Sequence, residues 1–175
     1  MLQNTTKRFP KPPFEDVLKA YRTDPETVHT CAILNPTPGP DGINTCAARM
    51  SEALCLANKL VGDRVAVTQN RVKNDVYPLL GGYGYRVYGN LCSHGIARGA
   101  RDLGEFLVRA WGAPKEWVKK ELSEPPPEII GKRGVVCFIK IPGYGGQGHI
   151  DLFNENGCVG SGYWNSERVW FLEMT

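Results

Sequence analysis

Two residues of the chain have the types and surroundings that a cysteine hydrolase needs. Cys46 follows Asn44 and Thr45, which are good N-cap residues, so it is predicted to begin a helix. Unpaired N–H groups and the helix dipole favour a thiolate at that end of a helix. A nucleophilic cysteine also needs a base within hydrogen-bond reach, and His149 is the best candidate. The pair indicates acyl-transfer chemistry, with a merely buried cysteine as the structural alternative.

His149 opens a segment that alternates as a β-strand does. The alternation places His149, Asp151 and Phe153 on one face and the residues between them on the other. The glycine-rich approach at residues 145–148 lets a substrate come close to the backbone. Asp151 is therefore the nearby carboxylate that shares a face with the histidine, although a strand histidine is often only structural.

Hydrophobic periodicity divides the chain into a helical part and a strand part. Helices are predicted over residues 14–21, 46–61 and 98–111, with another short one beginning at 114–118. Strands are predicted over residues 134–141, 149–153 and 168–173, with a tight turn at Asn156 and Gly157. Residues 1–13 are rich in proline and predict an extended lead-in. Helices first and strands last predict an α+β fold, with an antiparallel sheet packed on the Cys46 helix.

Composition sets bounds on the function. The 175 residues, 42% hydrophobic and 22% charged, predict one globular domain over residues 1–175. A net charge of +3 with interleaved acids and bases disfavours nucleic acid as a partner. No apolar run suggests a membrane anchor or a conventional signal peptide, which predicts synthesis in the cytosol. Six irregularly spaced cysteines and three distant histidines predict neither a metal site nor a cofactor, and free thiols are the simplest expectation.

Short segments along the chain resemble a single protein family. The segments CAARMSEAL (46–54) and GHIDLFN (148–154), with the aromatic pairs near 163–164 and 169–171, resemble the fourth family of type VI secretion amidase effectors. The resemblance runs in order over residues 14–174. It implies an NlpC-type papain-like fold and a toxin that cleaves peptidoglycan stem peptides between D-glutamate and meso-diaminopimelate. It also implies delivery by an injection apparatus into the target periplasm, and a cognate immunity protein in the producer.

The resemblance assigns roles to the candidate site residues. Cys46 would be the nucleophile and His149 the general base and then acid, while the N–H of Cys46 would help to form an oxyanion hole. The third residue of the family is an aspartate on the strand after the histidine, but residues 158–162 of this chain contain no acid. Either Asn156 or Ser161 orients the ring, or Asp151 does so from the histidine strand, or the enzyme is impaired. Asp151 is our prediction.

Two other classes of function stay open at this point. The missing aspartate is compatible with a catalytically weakened descendant that binds cell wall or a partner protein. The cysteine–histidine pair is also compatible with a papain-like hydrolase or acyltransferase that acts on another amide or ester.

Overall fold

The computed structural model describes residues 8–21, 46–59, 97, 99–118 and 122–175. Within these ranges the helices are α1 (Phe14–Ala20), α2 (Cys46–Ala57) and α3 (Ala100–Trp111). The strands are β1 (Lys115–Val118), β2 (Lys132–Ile139), β3 (His149–Glu155), β4 (Gly157–Cys158) and β5 (Arg168–Met174), and a 3-10 turn spans Pro127–Ile129. The predicted α+β class is confirmed.

The strands form one antiparallel sheet in the order β1-β5-β2-β3-β4. The apolar strand β2 lies at its centre, where it places Phe138 opposite His149 and Val136 opposite Phe171. A strand with neighbours on both sides and both faces covered is expected to be apolar, as β2 is from residue 134 to residue 139, after the half-buried Lys132 and Arg133. β3 is next to the edge of this sheet, beside the two-residue strand β4, so its side chains can meet the helices at that edge.

The sheet separates two apolar clusters. Alternate residues of β2 and β3, among them Val135 and Ile150, pack with the three helices. The residues between them, such as Phe138 and Phe153, pack on the other face with Trp164 and with Trp117 from β1. The period-2 alternation predicted for the His149 strand is therefore observed, with residues 150 and 152 on the helix side.

Helix α2 is shorter than its periodicity predicted. It ends at Ala57, and the N–H of Lys59 donates to the carbonyl of Leu56. Lys59 has a φ of 54°, the left-handed conformation that commonly ends a helix. The predicted residues 60 and 61 lie outside the described part of the chain, as do the N-cap residues Asn44 and Thr45.

One predicted element has the wrong type. The segment from Pro114 was expected to begin a short helix, but Lys115–Val118 is strand β1. It pairs with β5, where Trp117 lies opposite Val169. Trp117 is the buried residue of the four, because pairing with a neighbouring strand turns its ring into the second cluster. A tertiary pairing of this kind overrides a weak local preference for helix.

The tight turn between β3 and β4 is present, shifted by one residue from the predicted Asn156 and Gly157. Asn154 pairs with Gly157, so Glu155 and Asn156 form the turn. Glu155 takes the left-handed conformation, with a φ of 58°. Among the described helices, none has the length and apolar character required to cross a membrane.

Candidate active site

Cys46 is the first residue of α2 and its side chain is only 2% exposed. The helix packs against α1 and against β3, which brings its first turn to the edge of the sheet where His149 lies. The residues that follow Cys46 on the inner face, including Met50 and Leu54, are fully buried and fix this orientation. The sequence predicted a helix that starts at this cysteine, and the described part of α2 begins with it.

His149 is the first residue of β3, and the loop before it is held tightly. Gly148 has a φ of 89°, and a Cβ on it would lie 1.9 Å from the carbonyl oxygen of Phe138, so no other residue fits there. The preceding Gln147 donates from Nε2 to Asp102 Oδ2 at 2.7 Å and accepts from the Asp102 N–H at 3.2 Å. These bonds tie the glycine-rich loop to the first turn of α3 and so fix where β3 begins.

The ring of His149 is enclosed by polar and aromatic neighbours. Its Nε2 lies 3.4 Å from Oδ2 of Asp151, and the side chain of Cys46 is its other hydrogen-bonding neighbour. Phe138 stacks on the ring at a centroid distance of 6.2 Å, and Tyr163 meets it edge-on at 5.2 Å. The structure thus brings together all three residues that the sequence singled out.

Asp151 is completely buried and its carboxylate is fully engaged. Oδ1 accepts from the hydroxyl of Tyr21 and from the N–H of Leu152, both at 2.8 Å. Oδ2 accepts from the N–H groups of Gly160 at 2.9 Å and Ser161 at 2.7 Å, and it is the oxygen that faces His149. A buried carboxylate needs this number of donors, because a charge without partners is costly in an apolar interior.

Ser161 and Asn156, the other candidates for the third catalytic residue, lie in different parts of the structure. Ser161 contributes its backbone N–H to Asp151, and Asn156 lies exposed in the β3–β4 turn. The segment after β4 therefore supplies donors to the carboxylate, and the carboxylate itself comes from β3. The catalytic roles of Cys46, His149 and Asp151 stay predictions, which the geometry makes specific.

The pKa of His149 follows from these contacts. Burial alone would lower it, but the hydrogen bonds to Asp151 and Cys46 and the charges of both partners outweigh burial and raise the pKa from 6.5 to about 9. The imidazolium form is therefore favoured at neutral pH. A cationic ring beside a cysteine stabilises a thiolate–imidazolium pair, which is the reactive form of a cysteine hydrolase.

The other described cysteines have different surroundings. Cys55, Cys137 and Cys158 are free thiols. Burial raises the pKa of Cys55 to about 12 and raises the pKa values of Cys137 and Cys158 as well, with a contribution from Cys46 at Cys137 and from Asp151 at Cys158. These thiols stay neutral, so they are poor nucleophiles. In the described ranges, no group of three or more histidine, cysteine or acidic side chains could hold a metal ion.

A groove of about 730 Å³ lies beside the histidine. Tyr163 belongs both to its wall and to the surroundings of His149. The lining carries no formal charge and comprises Leu122, Ser123, Pro142, Gly162, Tyr163, Trp164 and Asn165. Its volume is within the range of small-molecule and peptide-segment sites.

Gly160 offers a selective way to disturb the carboxylate. A Cβ at this position would lie 2.7 Å from Oδ2 of Asp151, so Gly160→Ala must displace that oxygen, which faces His149. We expect kcat to fall about tenfold to a hundredfold, the effect of a misplaced catalytic group. The matched control is Gly157→Ala in the same hairpin, where an added Cβ meets nothing within 4 Å. Equal activity of the two variants in a peptidoglycan hydrolysis assay would contradict this.

Sequence reasoning missed several contributors to the site. Tyr21 was predicted only as part of the helix over residues 14–21, and Gly160 was noted only within a segment that lacks an acid. Ser161 was considered as a residue that orients the ring, but not as a backbone donor to Asp151. The available signal for Gly148 and Gln147 was the density of glycines before a strand, which often marks a close approach of backbones. No local pattern marks Tyr21, because its partner is 130 residues away in the chain.

Comparison with known proteins gives three findings. The sequence matches the family described as Type VI secretion system (T6SS), amidase effector protein 4 (Tae4), over residues 43–172. No curated protein sequence matches the chain. Several solved structures share its fold.

Two of these structures illustrate the likeness. The Tae4–Tai4 effector–immunity complex from Salmonella Typhimurium matches with a TM-score of 0.60 at 17% identity, covering 95% of this chain and 100% of that chain. The Tae4 effector from Enterobacter cloacae matches with a TM-score of 0.56 at 15% identity, covering 97% and 100%. The fold is therefore the NlpC-type papain-like fold. Since the family match spans most of the sequence, the chain belongs to the Tae4 family of type VI secretion amidase effectors, which are peptidoglycan amidases.

Proposed function

We propose that this amidase cleaves peptidoglycan stem peptides between D-glutamate and meso-diaminopimelate, with Cys46 as nucleophile and His149 as base and acid. The observation that carries the proposal is the His149 ring, held between the Cys46 thiol and the Asp151 carboxylate in a member of an amidase family. A nucleophile, a base within reach and a group that orients the base are the components of a cysteine hydrolase.

The first half of the reaction forms a thioester. The Cys46 thiolate attacks the carbonyl carbon of the D-glutamyl residue, and a C–S bond forms as the carbonyl oxygen becomes an oxyanion. The N–H of Cys46, at the N-terminus of α2, is placed to stabilise this charge. When the tetrahedral intermediate collapses, the C–N bond breaks and the His149 imidazolium gives its proton to the departing amine of diaminopimelate.

The second half of the reaction releases the acyl group. Neutral His149 removes a proton from water, the water oxygen attacks the thioester, and the C–S bond breaks to leave a D-glutamyl carboxylic acid, which loses its proton to solvent. The proton returned to the ring restores the thiolate–imidazolium pair. Asp151 holds the ring in the orientation that both steps require, through its contact with Nε2.

The groove beside His149 provides room for the stem peptide. Tyr163 belongs both to the groove and to the surroundings of the His149 ring, which supports the groove as the binding site of the stem peptide. The exposed polar side chains of Ser123 and Asn165 offer hydrogen bonds to the amides of a peptide without demanding a charge.

The biological setting follows from the family. We propose that residues 1–175 act as a single amidase domain, and that the type VI apparatus delivers it to the periplasm of a target cell. The solved Tae4 relatives include complexes with Tai4 immunity proteins. A cognate immunity protein in the producing cell is therefore proposed for this chain as well.

The weakened-descendant alternative depended on a missing acid. Asp151 supplies a buried carboxylate at the histidine, so the acid-free segment 158–162 no longer favours that alternative.

The decisive experiment identifies the bond. Purified Gram-negative peptidoglycan is incubated with the protein, and the soluble fragments are analysed by mass spectrometry against a sample without protein. We expect fragments with new D-glutamate C-termini and new diaminopimelate N-termini. Cleavage at another amide would overturn the proposed bond, and turnover of a different acyl substrate with none of peptidoglycan would overturn the proposed substrate.

A further inference from the structure

The buried contact between Tyr21 and Asp151 links α1 to the active site. We infer that Tyr21 is a positioning residue of the amidase, whose hydroxyl holds the Asp151 carboxylate in the orientation that aligns His149. The inference rests on the proposed function, since it concerns the group that orients the catalytic base. It adds a fourth side chain, from the residue that directly follows α1, to Cys46, His149 and Asp151.

The hydrogen bonds of the carboxylate are divided between its two oxygens. Oδ2 receives two backbone N–H groups and faces His149, while Oδ1 receives the N–H of Leu152 and the hydroxyl of Tyr21. Three of these four donors are backbone groups, and a side-chain substitution cannot remove them. The Tyr21 hydroxyl is the donor that a substitution removes, and its loss leaves Oδ1 with one donor, the N–H of Leu152, so the carboxylate is held less firmly about the Cβ–Cγ bond.

The hydroxyl of Tyr21 is a permanent donor. Burial, the charge of Asp151 and the hydrogen bond to it all raise the pKa of Tyr21 above the range of ordinary tyrosines. Tyr21 therefore stays protonated at every pH at which the enzyme works. It orients the carboxylate and takes no part in proton transfer.

The fold holds Tyr21 firmly in place. It directly follows α1, and its N–H donates to the carbonyl of Leu18. The first residue of the helix, Phe14, donates its N–H to the carbonyl of Thr175 at 2.8 Å, beside the end of β5. Phe14 and Val17 are fully buried, in the apolar cluster that also contains residues of α2 and of the sheet. A donor on so rigid a support can fix the orientation of its partner.

Several charged or titratable groups surround the Tyr21–Asp151 pair. Cys46 and Arg49 face Tyr21 from α2, and their charges act on it in opposite directions. His149 contacts Asp151 from the same strand, and Cys158 lies near it on β4. Among these groups, His149 is the one that contacts Asp151 through a hydrogen bond. A change in the position of the carboxylate is therefore expected to change the pKa of His149.

The test compares Tyr21→Phe with Ser51→Ala. Ser51 is also buried, its hydroxyl accepts from the N–H of Ala97, and it lies on the same helix as Cys46, so its loss has a comparable structural cost without touching Asp151. In Tyr21→Phe we expect kcat on a purified muropeptide to fall about tenfold with KM nearly unchanged. We also expect the pKa of His149, followed by NMR of the ring carbon and proton, to fall towards its ordinary value. Ser51→Ala should change neither.

The outcomes separate the inference from the proposed function. A Tyr21→Phe variant that loses only thermal stability, with kcat and the His149 titration as in the wild type, would show a purely structural tyrosine. The NMR titration needs no substrate, so it decides the role of Tyr21 in holding Asp151 even if peptidoglycan is not cleaved. Absence of cleavage by the wild type would instead count against the proposed substrate. Loss of kcat and a lowered His149 pKa in both variants would overturn the specific role of Tyr21.

Discussion

Replacement of Cys46 by alanine is expected to abolish the release of soluble peptidoglycan fragments, with a fall in kcat on the order of 10⁵-fold. The variant removes the sulfur that forms the thioester, and no other described thiol is near His149 in a reactive state, since burial raises the pKa values of Cys55, Cys137 and Cys158. Alanine is small and favours helix, so α2 is expected to persist. Turnover is measured by mass spectrometry of muropeptides, and folding by thermal unfolding.

Cys55→Ala is the matched control for this variant. Cys55 lies on the same helix and is equally buried, so its replacement also removes one thiol from the core. We expect it to keep nearly wild-type kcat, with a modest loss of stability from the small cavity. Full activity of Cys46→Ala, or an equal loss of kcat in both variants, would contradict the role of Cys46 as the nucleophile.

Replacement of Asp151 by asparagine is expected to reduce kcat on the order of 10³-fold and to lower the free energy of unfolding by about 3 to 5 kcal/mol. The amide group of asparagine would place its N–H donors against the hydroxyl or N–H donors that now surround the carboxylate. The variant also removes the charge that stabilises the imidazolium of His149. Kinetics on muropeptides and urea unfolding measure the two effects.

The same variant has a predicted pH signature. Because the native pKa of His149 is raised from 6.5 to about 9, its interactions stabilise the fold fully below pH 6.5, and this contribution is lost as the pH rises through about 9. In Asp151→Asn the histidine pKa falls, so the falling limb of kcat moves to lower pH. The stability difference from the wild type should be largest below pH 6.5 and should narrow towards pH 9. An unchanged falling limb would show that Asp151 does not act on His149.

Gly160→Ala and Tyr21→Phe test the same carboxylate from its two sides. The first displaces Oδ2, which faces His149, and the second removes one of the two donors to Oδ1. Both variants keep the charge of Asp151, unlike Asp151→Asn. If the orientation and the charge of Asp151 both contribute to catalysis, kcat is therefore expected to fall further in Asp151→Asn than in Gly160→Ala or Tyr21→Phe.

The sequence by itself determined the elements that carry the site. N-cap residues followed by helical periodicity predicted that a helix starts at Cys46, and alternation predicted which face of β3 carries His149 and Asp151. Both are properties of residues close together in the chain, where spacing alone sets the direction of a side chain. Together with the family resemblance, these patterns were sufficient for the α+β class, the amidase family and the candidate pair.

Only the tertiary structure decided what surrounds that pair. Strand β1 exists because β5 pairs with Lys115–Val118, and no local pattern distinguishes this strand from a short helix. The acid at His149 comes from β3, while the segment after β4 gives N–H groups, and the Tyr21 hydroxyl arrives from a helix 130 residues away in sequence. Such contacts depend on how distant segments pack. A carboxylate buried in the core needs hydrogen-bond donors, and these can come only from the segments that pack around it.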